Sequence, residues 1–253
     1  ICKIAITIIH FIPLSPALSM RNKDQTPAAI SRDVDNFLAK VAAAPVPVKG
    51  KEKGRLIFAM DATASREPTW DRACHLQGEM FKATDSLGGL TVQLCYYRGF
   101  NEFHSSRWCE HTRQLLTEMS GTTCLGGHTQ IRKVLAHLET ENSLQKVQAA
   151  VFVGDAVEEN ADDLCQRAGK LGVLGVPLFM FHEGNNASAA SVFRQMAHLS
   201  GGAYAPFNPA SATQLRDLLA AVAIFVAGGH RALQDLGKDL TPEVSRLLQQ
   251  LKE

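Results

Sequence analysis

Residues 56–65 read Leu-Ile-Phe-Ala-Met-Asp-Ala-Thr-Ala-Ser. The first five are an unbroken apolar run. They are too few for a helix and lack the alternation of a strand with one wet face. Such a run is a strand buried on both sides, which occurs where helices cover a parallel sheet on both faces. Then the character changes. Asp61, Thr63 and Ser65 recur at every second residue, so an extended or looped segment turns a carboxylate and two hydroxyls to one side. With neither thiolate nor imidazole, this is a hard-oxygen set suited to Mg²⁺ or Mn²⁺. An Asp after a first strand is common in doubly wound folds, so the motif gains weight only from what the chain sets beside it.

Elements of both kinds alternate outward from this stretch. Strands are expected at Leu56–Met60, Thr91–Tyr97, Val147–Val153, Val176–Phe181 and Ala203–Phe207, with a short irregular strand over Glu102–Cys109. Helical spacing runs from Trp70 to Thr84, opened by Pro68 and closed by Gly88-Gly89. Further helices are expected over Thr112–Met119, Thr129–Leu138, Ala161–Leu171 and Ser188–Leu199, and then over 211–227 and 242–252. The alternation predicts an α/β fold: a doubly wound, mostly parallel sheet with helices on both faces. In such sheets ligands bind beyond the carboxyl ends of the strands, where strand order switches.

Two more segments supply oxygens for that edge. Val147–Val153 is followed by Gly154-Asp155, a second carboxylate in the equivalent position. Between the two strands lies Leu125-Gly126-Gly127-His128-Thr129-Gln130-Ile131, where the glycines permit a tight loop and Thr129 opens a helix with its hydroxyl free. Here the sequence resembles the von Willebrand factor A (VWA) domain, a Rossmann-like fold. Its metal-ion-dependent adhesion site (MIDAS) combines Asp-x-Ser-x-Ser after the first strand, a Thr in a Gly-rich loop and an Asp after the fourth strand. The resemblance covers roughly residues 54–228. It implies Ser65, Thr129 and the Thr63 hydroxyl as metal ligands, with Asp61 and Asp155 bound directly or through water. It also implies that a vacant coordination position receives an acidic side chain of a partner protein, making the chain a metal-dependent protein-binding module and not an enzyme. The sequence departs from the pattern at Thr63, where Ser is usual, and at Gly154-Asp155-Ala156, where Thr-Asp-Gly is frequent; both departures keep the oxygen-bearing group.

Composition narrows the function classes. Of 253 residues, 45% are hydrophobic, enough to bury a core, so a disordered chain is excluded. The 26 Lys and Arg nearly balance 25 Asp and Glu, which argues against nucleic acid or an anionic membrane as the default partner. Six sparse cysteines suit a reducing, cytoplasmic setting. Residues 1–19 are expected to be an over-called N-terminal extension, or a signal peptide if the chain is exported, since Ile4–Ser19 carries no charge. Pro13 and Pro16 make it a poor spanning helix, and Leu218–Gly229 is too short to span. A leader helix and charged linker over 20–54, the domain over 55–228 and a terminal helix over 229–253 complete the expected organisation.

Alternative readings have specific gaps. A phosphatase-like hydrolase using Asp61 as nucleophile with bound Mg²⁺ needs a second Asp two residues on, and Thr63 stands there. A VWA-like scaffold with no metal would use the same residues as strand and turn caps. No G-x-G-x-x-G follows the first strand, and no Walker-type G-K-[ST] is present. Cys109, His111, Cys124 and His128 lack a familiar zinc spacing. Glu158, Glu159, Asp162 and Asp163 read as the solvated start of a helix. Trp108 and Arg107 are read either as partner contacts near the site edge or as edge-strand packing, and Trp70, Met80 and Phe81 as core.

Overall fold

The structure, a computed structural model, describes residues 54–67 and 90–207 together with Val222 and Val226. The expected leader, the helix over 70–84 with Trp70, Met80 and Phe81, and the terminal helix lie outside the described residues. Within 211–227, Val222 and Val226 are helical and buried. No helix among the described residues is long and apolar enough to cross a membrane.

Among the described residues, six strands form one sheet in the order β3-β2-β1-β4-β5-β6. They are β1 (Gly54–Asp61), β2 (Leu90–Arg98), β3 (Glu102–Ser105), β4 (Ala149–Gly154), β5 (Leu178–Glu183) and β6 (Ala203–Phe207). All neighbours pair in parallel except β3, which runs antiparallel on the edge beside β2. The continuous apolar runs are buried as expected, with Leu56 to Met60 fully inaccessible to solvent. Strand order switches between β1 and β4, and Asp61 ends the first while Asp155 follows the second.

Helices α1 (Thr112–Ser120), α2 (Ile131–Leu144), α3 (Ala161–Val173) and α4 (Ala187–Ser200) lie close to their expected spans. On α2, Ile131, Val134, Leu135 and Leu138 are buried at helical spacing, joining α3 and α4 residues such as Leu164 and Phe193 over Ile57, Ala59 and Phe152 of the sheet. The polar ends are capped locally. Asn160 accepts from Asp163 N at the start of α3, and Asn186 accepts from Ser188 N and Ala189 N at the start of α4. Gly201 closes α4 in the left-handed conformation, at φ 73°.

Three expectations are corrected. The strand expected over Glu102–Cys109 ends at Ser105; Ser106 still bonds to Leu94 of β2, and Cys109 is joined to Val92 by an isolated bridge. Helix α2 begins at Ile131 and not at Thr129. Trp108 is not at the site edge: its indole donates to Glu141 Oε2 (2.9 Å) and lies under the Arg55 guanidinium (3.8 Å), at the opposite end of the sheet.

Candidate metal centre

Beyond the carboxyl ends of β1 and β4, three loops touch. The first follows β1. Asp61 is fully buried, and Thr63 N donates to its Oδ1 (2.8 Å), bending the chain back at the strand end. Tyr97 at the end of β2 donates its hydroxyl to Asp61 Oδ2 (2.8 Å). The carboxylate is thus oriented from both sides, yet each oxygen keeps lone-pair capacity for a cation or a bridging water. Thr63 Oγ1 and Ser65 Oγ lie 3.1 Å apart, and Ser65 is exposed, so the alternation read from the sequence does gather these oxygens.

The second loop carries the glycines. Leu125 N donates to Ala62 O (3.1 Å), and Thr63 pairs with Leu125 as an isolated parallel bridge, so this loop runs alongside the first. Of the two glycines, Gly127 is the one required by space: a Cβ there would lie 1.9 Å from Gly99 O in the β2–β3 turn, whereas one on Gly126 would meet nothing within 4 Å. Thr129 follows, half a turn ahead of α2. Its hydroxyl is not free, which corrects the sequence reading: Oγ1 accepts from Glu158 N (3.0 Å), while Thr129 N donates to Glu158 Oε2 (2.9 Å).

That reciprocal clamp brings in the third loop, after β4. Glu158 and Glu159 do not sit in the first turn of α3, as Asp162 and Asp163 do. Glu159 instead accepts from Ile131 N and Arg132 N, so these carboxylates hold the N-terminus of α2 across the cleft. Asp155 begins the same loop. A Cβ on Gly154 would touch the Phe152 ring at 2.7 Å and Asp61 Cβ at 3.4 Å, so glycine here leaves room for Phe152 and sets the β4 end against Asp61.

Asp155 Oδ1 is shielded from water and has no hydrogen-bond partner. A buried carboxylate oxygen left unpaired is costly, and a cation would relieve it. Burial likewise raises the Asp61 pKa, with hydrogen bonds from Thr63 and Tyr97 and the charge of Arg66 pulling the other way. The Tyr97 phenol is pushed well up, by burial first and then by the Asp61 charge, and so stays a proton donor. The donor set is therefore all oxygen, with two carboxylates and three hydroxyls on adjoining loops, and it fits a hard divalent cation. No group of three or more His, Cys, Asp and Glu gathers among the described residues, so Cys109, His111, Cys124 and His128 form no zinc set.

Four contributors escaped the sequence reading. Tyr97 closes an ordinary apolar strand and carries no signal. Phe100, in the β2–β3 turn, is 75% exposed and packs edge-on against His128. Arg66 and Glu183 pair in the interior at 2.9 Å. Neither sequence neighbourhood carries a signal for the other: Arg66 sits in the turn beyond β1, and Glu183 ends β5.

No family model matches the chain, and no curated protein matches it. Solved structures do. The match to the SpRpn10 VWA domain has a TM-score of 0.54 at 13% identity, covering 66% of this chain and 94% of that one. The manganese-loaded TRAP protein of Plasmodium vivax matches with a TM-score of 0.53 at 17% identity, over 70% of this chain and 74% of that one. Proximal thread matrix protein 1 from the mussel byssus, with a zinc-occupied MIDAS motif, matches with a TM-score of 0.52 at 11% identity, over 68% of this chain. The match spans only 46% of that mussel protein.

Proposed function

We propose that this chain, which has the fold of a von Willebrand factor A domain, is a divalent-metal-dependent protein-binding module. The observation that carries the reading is the unpartnered, buried Asp155 Oδ1 beside the oriented carboxylate of Asp61. Asp61, Thr63, Ser65, Thr129 and Asp155 would hold Mg²⁺ or Mn²⁺, directly or through water. Fewer than six protein ligands leave a position open, and a bound cation supplies there a positive point to which a partner's Asp or Glu can bind. Neighbours of the same fold that carry zinc or manganese support a divalent ion in general.

The residues around the centre suit binding more than catalysis. Thr63 occupies the position at which a phosphatase would need its acid/base carboxylate. On the Gly-rich loop Leu125 is 44% exposed, and Phe100 stands on the adjoining turn. These two supply apolar contact for the residues that flank the partner's acid. The sparse cysteine usage of the sequence leads us to propose a reducing, cytoplasmic setting.

Calorimetric titration of the full chain with Mn²⁺ tests the reading. Asp61→Asn keeps an acceptor for Thr63 N and can turn its amide nitrogen to donate to the Tyr97 oxygen while removing the charge, and Thr129→Val removes the hydroxyl. Both are expected to lose Mn²⁺ binding while retaining the parental circular dichroism spectrum. Parental affinity in both variants would overturn the site. Capture of a partner in Mg²⁺ and its release by EDTA, absent with Asp61→Asn, tests the binding function itself.

A further inference from the structure

The 3₁₀ turn Ala64–Arg66 carries the last oxygen of the motif, Ser65, with Arg66 N donating to Thr63 O (3.1 Å). The turn points the Arg66 side chain back beneath its own loop, where it is fully buried. One side of the guanidinium meets Glu183, the last residue of β5: Nε donates to Oε2 at 3.0 Å, and Nη2 lies 2.9 Å from the same oxygen. On the other side, Nη1 donates to Asp61 O (2.9 Å) and, at 3.4 Å, to Val153 O. Both carbonyls stand at the carboxyl end of the sheet. Met60 pairs with Val153, and Gly154 with His182, so the ends of β1, β4 and β5 lie side by side in register. A single rigid cation therefore bridges all three strand ends. Two of these ends lead into the loops that carry Asp61 and Asp155.

We propose that Arg66 is the positioning residue of the metal centre: its guanidinium fixes the spacing between the strand ends that carry Asp61 and Asp155, and Glu183 is the counter-charge that lets a cation stay buried there. The proposal rests on the metal-site reading for its consequence, not for its geometry. Arginine suits the task because its planar fork presents donors in two directions at once, to a carboxylate on one side and to two carbonyls on the other. A lysine ammonium has one donor cluster and cannot span them. Arg66 holds no substrate and no ligand; it acts through the backbone of the residues that do. Groups placed in this way around a metal site tune affinity by about 10–100-fold when removed.

The pair can be removed without changing the net charge below the site, using Arg66→Met combined with Glu183→Gln. Two measurements are made on the full chain: amide hydrogen exchange without metal, and calorimetric titration with Mn²⁺. The amides of Ala62, Thr63 and Leu125 hydrogen-bond to Tyr97 O, Asp61 Oδ1 and Ala62 O respectively, and they report the loop directly. These amides are expected to exchange at least about ten-fold faster in the double variant, while those of Phe58 and Val151 in the strand interiors keep the parental rate. Mn²⁺ affinity is expected to fall by about ten-fold or more. Unchanged exchange at the three loop amides overturns the proposal, and so does acceleration spread evenly over the sheet, which would mark a purely structural pair. If the double variant does not fold, Arg66→Lys keeps the charge without the fork and is held to the same exchange criterion. A parent chain that fails to bind Mn²⁺ would sink the metal reading alone, because the exchange measurement still decides whether Arg66 sets the loop.

Discussion

The two ends of the sheet handle buried charge in opposite ways. At the amino end, Arg55 and Glu141 pair at 3.2 Å, Trp108 donates to the same Glu141 oxygen, and the Arg55 guanidinium lies on the indole. The groups in this cluster answer one another, and the result is a latch between β1, α2 and the segment after β3. At the carboxyl end, Arg66 and Glu183 satisfy each other in the same manner, yet just above them Asp155 Oδ1 has no partner and Ser65 faces solvent. An unpaired carboxylate oxygen at one end, against fully answered charges at the other, costs stability, and on the proposed reading that cost is recovered when a cation binds.

The sharpest way to break this contrast is to delete one carboxylate from each end. Glu141→Ala takes away the one carboxylate that both pairs with the largely buried Arg55 guanidinium and accepts from Trp108, leaving Arg55 its bond to the Gln145 carbonyl. It is expected to cost about 3 kcal/mol of unfolding free energy while leaving Mn²⁺ affinity unchanged. Asp155→Asn removes the charge of a carboxylate whose buried Oδ1 has no hydrogen-bond partner, and it is expected to leave metal-free stability equal to the parent's or slightly above it. Its loss appears only with ligand present. At 100 times the dissociation constant, Mn²⁺ should stabilise the parent by about 2.7 kcal/mol and the variant not at all. Denaturant unfolding with and without Mn²⁺ reads both. If Asp155→Asn destabilised the metal-free protein as much as Glu141→Ala, the carboxyl end would be another latch.

A smaller effect separates two adjacent glycines that look alike in the sequence. Gly127→Ala forces a Cβ against the Gly99 carbonyl, a backbone atom that can move only if the turn moves. It is expected to cost about 2 kcal/mol and to weaken Mn²⁺ binding, because Thr129 is carried on the same loop. Gly126→Ala meets open space and should change neither quantity beyond about 0.5 kcal/mol. Equal behaviour of the two would show that the loop does not depend on its approach to the β2–β3 turn.

These cases also mark what was legible before the structure. The sheet was legible because burial on both faces leaves an unbroken apolar run, as in Leu56–Met60 and Ala149–Val153, and no other element of that length does so. Asp61, Thr63 and Ser65 were legible because alternation places oxygens on one side whatever the fold does next. Contacts between side chains distant in sequence were not. Arg66 and Glu183 are 117 residues apart, and nothing in either neighbourhood names the other. For Trp108 the packing alternative holds and the site-edge one does not, because its partners Arg55 and Glu141 come from the first strand's beginning and α2's last turns. The acidic run at 158–163 was half legible. Asp162 and Asp163 favour their own helix, as their positions suggest, whereas Glu158 and Glu159 serve a different one.

The smallest predicted effect asks whether the latched end carries a pH dependence of its own. His137 on α2 faces Gln93 Oε1 at 2.9 Å and packs against Phe103, in a partly buried position two strands away from the centre. Gln93 Nε2 donates to Ser106 O, which turns Oε1 toward the ring and makes the neutral imidazole the donor across the pair. Burial lowers the His137 pKa, and the nearby Glu141 charge offsets part of that. Folded His137 thus takes up its proton at lower pH than it does in the unfolded chain, where an ordinary value of about 6.5 applies. Between the two values the unfolded state holds more protons, so stability rises with pH. The contribution is complete above about pH 6.5 and drains away as pH falls through the folded value. Thermal unfolding in EDTA between pH 5 and 7 should therefore show a midpoint that declines with acidification, and more shallowly in His137→Gln, which cannot titrate. Glu141→Ala should steepen the decline, since it removes the charge that steadies the imidazolium. A shallower slope in Glu141→Ala would mean that the latch acts on His137 through packing and not through charge.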